Sequence, residues 1–60
     1  MLKEQEKKVV IDNLRRLNKL SLENRLTKEE KENFNLYKLI VKKNFPKEEI
    51  EADVAKIISH

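Results

Sequence analysis

Apolar residues recur every three or four positions along the first third of the chain, and no other feature restricts the fold more. Val10, Leu14, Leu17 and Leu20 follow the 3.6-residue period of an α-helix. Charged side chains occupy the opposite side of the same helix: Lys8, Asp12, Arg15, Arg16, Lys19 and Glu23. The spacing predicts an amphipathic first helix over about residues 4–24.

The chain must leave this helix without glycine, because its 60 residues contain none. Asparagine is the usual substitute in the left-handed conformation that ends helices, so we expect Asn24 to end the first helix and Asn44 to end the second. The segment Thr27-Lys28-Glu29-Glu30 has the residues of a capping box, which begins a helix. We therefore predict a second helix over about residues 28–43.

The second helix carries apolar residues over more than half of its circumference: Phe34, Leu36, Tyr37, Leu39, Ile40 and Val41. This distribution predicts a helix packed between two neighbours, with the three aromatic side chains, Phe34, Tyr37 and Phe45, in the core.

A third helix is predicted over about residues 46–58. Pro46 suits its first position, where the missing N–H is no loss. Its apolar stripe is Ile50, Val54, Ile57 and Ile58. Short connections make consecutive helices antiparallel neighbours. The predicted fold class is all-α: one three-helix domain over residues 1–60.

Composition argues against catalysis. The chain has no cysteine and one histidine, His60, so it lacks the ligands for a metal site. It has no glycine-rich phosphate loop, and Ser21 and Ser59 have no nearby base. We predict no enzyme activity, no cofactor and no small-molecule substrate.

Location follows from the same composition. No apolar run approaches the roughly 18 residues needed to span a bilayer, and the first residues do not resemble a signal peptide. We expect a cytoplasmic protein. The abundance of Lys, Asn, Ile and Glu is typical of AT-rich bacterial, phage or plasmid genomes.

The leading functional hypothesis is a small regulatory or adaptor protein. A chain of this length buries only about 60% of its unfolded surface. The first helix is also about 30 Å long, and the third would cover about half of it. The rest of the stripe could bind a protein partner or a second copy of the chain, or the second helix alone could cover it. The predicted contact residues are Val10, Leu14 and Leu17, with the basic flank of Arg15, Arg16 and Lys19.

A nucleic-acid-binding accessory or transcriptional regulatory factor is the alternative. The formal net charge is +3, with basic residues in the first two helices and acidic residues in the third. The predicted phosphate contacts are Arg15, Arg16, Lys19, Lys38 and Lys42. The segment KKNFPKEEIEADVAKIIS also resembles the first helix of a helix-turn-helix motif. That motif needs a recognition helix after this segment, so we do not expect DNA reading of this kind.

Overall fold

The computed structural model describes residues 2–59, and all the secondary structure in this part of the chain is helical. Helix α1 is Glu4–Leu22, α2 is Lys28–Asn44 and α3 is Ala52–Ile58, with a single 3-10 turn at Lys47–Glu49. Each α-helix packs against the other two. The predicted all-α three-helix fold is confirmed, whereas the predictions for His60 concern a residue outside the described range.

The corner after α1 uses asparagine as predicted. Asn24 has φ 56°, in the left-handed region. The Arg25 N–H donates to the Leu20 carbonyl at 2.8 Å, and the Asn24 N–H donates to the Ser21 carbonyl at 3.0 Å. These two bonds form a Schellman motif, which satisfies carbonyl groups at the end of a helix.

The capping box at the start of α2 is also confirmed. The Glu30 N–H donates to Thr27 Oγ1 at 3.2 Å. In return, the Thr27 N–H donates to Glu30 Oε1 at 3.0 Å. Two backbone donors that the helix cannot satisfy internally are thereby paired.

Helix α2 ends differently from the prediction. Asn44 remains within the helix, and its side-chain Nδ2 donates to the Ile40 carbonyl at 3.0 Å. The terminating residue is Phe45, which is extended with φ −105° and ψ 126°. Pro46 explains this ending, because a proline ring disfavours helical conformation in the residue before it. The prediction that a left-handed Asn44 ends the helix is therefore wrong, and Pro46 causes the ending instead.

The third helix is shorter than predicted, since α3 begins only at Ala52. Pro46 is extended, and Ile50 and Glu51 separate the 3-10 turn from α3 in extended conformations. A continuous helix would place Glu49 and Glu51 about 200° apart. The break allows both carboxylates to reach α1, where they meet Lys7 and Arg15.

The core lies where the three helices meet. Leu14 and Leu17 of α1, Val41 of α2 and Val54 of α3 are almost completely buried. Around them lie the remaining buried side chains, which are Val10, Phe34, Phe45, Ile57 and Ile58. The core positions predicted for Phe34 and Phe45 are confirmed, while Tyr37 is half-buried.

The composition of α2 predicts a helix packed between two neighbours, but in the structure one side of α2 is exposed. Leu36 is 55% exposed and Leu39 is 51% exposed. Both α1 and α3 pack against the side of α2 that carries Phe34 and Val41, so the opposite side faces solvent. One apolar side of α2 therefore belongs to the core, and the other belongs to the surface.

Candidate protein-interaction surfaces

The apolar residues predicted to bind a partner lie inside the domain. Val10, Leu14 and Leu17 are all buried in the core. The stripe on α1 is covered because α2 and α3 both pack on it. In the folded domain these three side chains face the core rather than solvent.

Arg15 on α1 is bound to the acidic C-terminal segment. Its Nε lies 2.9 Å from Asp53 Oδ2, and its Nη2 lies 3.3 Å from Asp53 Oδ1. The same Nη2 also donates to the carboxylate of Glu51. One guanidinium thus binds the carboxylate of Glu51, which precedes α3, and that of Asp53 in the first turn of α3.

The contact between Arg15 and Asp53 shifts the pKa of each of these two side chains. Hydrogen bonding to Arg15 lowers the pKa of Asp53, and hydrogen bonding to Asp53 raises the pKa of Arg15. Lys7 makes a similar contact, with its Nζ 3.2 Å from Glu49 Oε1. The basic first helix and the acidic C-terminal segment therefore neutralise part of each other's charge.

The five predicted phosphate-contacting residues have different surroundings. Arg15 faces the acids just described, and Arg16 Nη1 lies 3.9 Å from Glu30 Oε2. Lys19 is exposed. Lys38 Nζ lies 4.2 Å from the centre of the Phe34 ring, a cation–π distance. Lys42 lines a groove beside α3. Intramolecular contacts thus occupy several of these cations.

That groove is an open apolar depression between the end of α2 and α3, with a volume of about 490 Å³. Its apolar lining combines the edges of Phe45 and Ile58 with half-buried Ile50 and exposed Ala55. The polar residues at its margin are Lys42, Lys47 and Ser59. An apolar floor with two lysines suits a ligand that is both apolar and acidic.

The groove is not among the features that the sequence predicts. It lies where Pro46 and the 3-10 turn interrupt the helices, and Lys47 and Ile50 line it together with Ala55 and Ile58 of α3. Pro46 was the available signal, but it also fits the first position of a helix. A helix that begins at Pro46 and the observed 3-10 turn differ in the break before Ala52, where α3 begins.

A second surface lies on the solvent side of α2. Leu36 and Leu39 are three positions apart on the helix, and each exposes more than half of its side chain. The sequence identified both residues as apolar and assigned them to a helix contact within the domain. In the structure of residues 2–59, no other helix covers these two leucines.

A metal centre and a membrane span are two further kinds of site, and residues 2–59 contain neither. No group of histidine, cysteine, aspartate or glutamate side chains there is arranged to hold a metal ion. None of the helices in residues 2–59 has the length and apolar character needed to cross a membrane.

Comparison with protein-family models, with curated proteins and with solved structures found no significant match to this chain.

Proposed function

We propose that the protein is a non-enzymatic interaction module that binds an acidic and apolar segment of another protein in the groove beside α3. The observation that carries this proposal is the groove itself, where Lys42 and Lys47 border an apolar lining. The domain would act as a regulator or adaptor by binding this segment of its partner protein.

The shape of the groove favours a polypeptide. Small-molecule sites usually enclose most of their ligand, whereas this depression is open to solvent along α3. An amphipathic helix or an extended segment can lay its apolar side chains into such a groove. Its acidic residues would then lie beside the lysines.

The charge of the margin favours an acidic partner. Within residues 2–59, neither Lys42 nor Lys47 forms an ion pair with a carboxylate of the domain. Charges at the rim of an interface mainly accelerate association and select the partner. Acidic groups on the partner would supply the carboxylates that these two lysines lack.

Selection from a peptide library tests the proposal directly. A random peptide library would be displayed and selected on the wild-type domain, and the recovered clones would be assayed on two variants. Ala55→Glu places a bulky anionic side chain in the groove, while Ala52→Glu makes the same change at an exposed position of α3 outside it. We expect peptides rich in apolar and acidic residues that bind Ala52→Glu but not Ala55→Glu.

Charge reversal at the margin gives an independent result. A Lys42→Glu, Lys47→Glu variant should weaken the selected acidic peptides at low salt, mainly through slower association. Peptides that bind Ala55→Glu as well as wild type would contradict the location of the site. A selection that yields basic peptides would contradict its proposed charge preference.

Nucleic-acid binding is the second candidate, favoured by the net charge of +3. Fluorescence anisotropy with single- and double-stranded oligonucleotides would test it at increasing salt. Binding through Lys19 and Lys42 predicts affinity that falls with salt, with a slope set by the phosphates neutralised. A flat salt response, or no binding at low salt, would remove this candidate.

A further inference from the structure

The solvent side of α2 carries a short stripe that combines apolar and charged residues, and we call it the outer stripe. Its members are Glu32, Leu36, Leu39 and Lys43, all of which are exposed. Their spacing of four, three and four residues keeps them on one side of a helix. The same spacing is that of the a and d positions in a coiled coil.

The order of the residues in the outer stripe makes it complementary to itself. The two leucines are central, with the acid toward the start of α2 and the base toward its end. When two such helices lie antiparallel, Leu36 of each copy meets Leu39 of the other. Glu32 of each copy then lies opposite Lys43 of the other. A parallel arrangement would place like charges opposite each other.

We propose that two copies of this chain associate through the outer stripe as an antiparallel, two-fold symmetric helix pair. The two leucines of each copy would be buried at the centre, and an ion pair would lie on each side of them. Such an interface is isologous, since both copies use the same residues.

A second copy is the favoured occupant because one α2 already presents all of the complementary groups. Within residues 2–59, neither Glu32 nor Lys43 forms an ion pair with the rest of the domain. The contact from Glu32 to Lys43 is about 16 Å long by the helical rise. Because the contact is short, we expect weak, concentration-dependent association rather than a permanent dimer.

This inference does not depend on the proposed function. The outer stripe shares no residue with the groove beside α3. If both proposals are correct, a dimer would carry two grooves, and a partner with two binding segments would bind more tightly than either segment alone. Each proposal has its own variants, so one can fail while the other stands.

Sedimentation equilibrium on the full chain, at concentrations up to about 1 mM, tests the association. We expect the apparent mass to rise toward twice the monomer mass, and Leu36→Glu to abolish the rise. By symmetry, Glu32→Lys or Lys43→Glu creates two like-charge contacts, so each should weaken association by about tenfold or more. The double variant E32K/K43E reverses both ion pairs and should restore wild-type association to within about threefold.

Matched controls separate the outer stripe from a general effect of charge. Glu48→Lys and Lys8→Glu make the same charge changes at exposed positions away from α2, and both should leave association unchanged. Circular dichroism would check that each variant keeps its helices. A protein that remains monomeric at every concentration would overturn the proposal. So would a dimer that tolerates Leu36→Glu, or one that the double variant does not restore.

Discussion

The guanidinium of Arg15 lies against the carboxylate of Asp53, with two nitrogen–oxygen contacts of 2.9 and 3.3 Å. The two residues are 38 positions apart in the chain, and the contact joins α1 to the first turn of α3. Glu51 contacts the same guanidinium. A paired guanidinium thus stands where the sequence alone suggested a site for binding phosphate.

We expect this pairing to stabilise the docking of α3 in a salt-dependent way. Arg15→Met and Asp53→Asn should each lower the free energy of unfolding, and the double variant should lose less than the sum of the two. Urea unfolding of all four proteins gives this coupling as a double-mutant cycle. The coupling should shrink in about 1 M salt, where screening is strong.

Lys8→Met and Glu48→Gln provide the matched cycle, because these two exposed residues share no hydrogen bond or ion pair. Their effects should add within experimental error. Equal coupling in the two cycles would show that the Arg15 contact contributes nothing specific to α3.

The helix cap and the corner could be predicted from the sequence because their hydrogen bonds join residues only a few positions apart. Thr27 and Glu30 cap each other across three positions, and Asn24 closes its turn with carbonyls of the preceding helical turn. Such elements depend little on the rest of the fold. The start of α2 and the corner before it were therefore predicted correctly.

The interruption before α3 could not be read in this way. It brings Glu49 to Lys7 and Glu51 to Arg15, and these contacts link residues 42 and 36 positions apart. A helical pattern also shows that a stripe is apolar without showing what covers it. Leu14 and Leu36 thus have similar signals but opposite burial.

The two asparagines should respond oppositely to glycine. Asn24 is left-handed, so Asn24→Gly should be tolerated, and Asn24→Ala should be less stable than Asn24→Gly by about 1 kcal/mol. Asn44 is the last residue of α2 and is helical, so glycine there should be less stable than alanine by up to about 0.5–1 kcal/mol. Urea unfolding of the four variants checks both orders, and the same preference at both positions would contradict the assigned corner.

Acid should weaken the domain through two carboxyl groups. Hydrogen bonds from Thr27 lower the pKa of Glu30, and the bond from Arg15 lowers the pKa of Asp53. The unfolded chain then binds these protons at higher pH than the folded chain does. The resulting stability is present above a pH of about 4 and is lost as the pH falls through the lowered pKa values.

The pH dependence of urea unfolding measures this effect. An E30Q/D53N variant removes both titrating carboxyls, while its glutamine can still accept the capping hydrogen bond. Its stability should therefore decline less than that of wild type between neutral pH and a pH of about 2. Parallel curves for the two proteins would show that these contacts do not contribute to acid unfolding.

Truncating a buried leucine should cost far more stability than truncating a leucine of the outer stripe. Leu14 is fully buried, so Leu14→Ala should cost about 2–5 kcal/mol, a large fraction of the stability of so small a domain. Leu36 is more than half exposed, so Leu36→Ala should change the free energy of unfolding by no more than about 0.5 kcal/mol. Thermal and urea unfolding at low protein concentration, where the proposed association would be negligible, would measure both. Similar costs at the two positions would mean that α2 buries its outer side, and the assignment of Leu36 to an exposed surface would then be wrong.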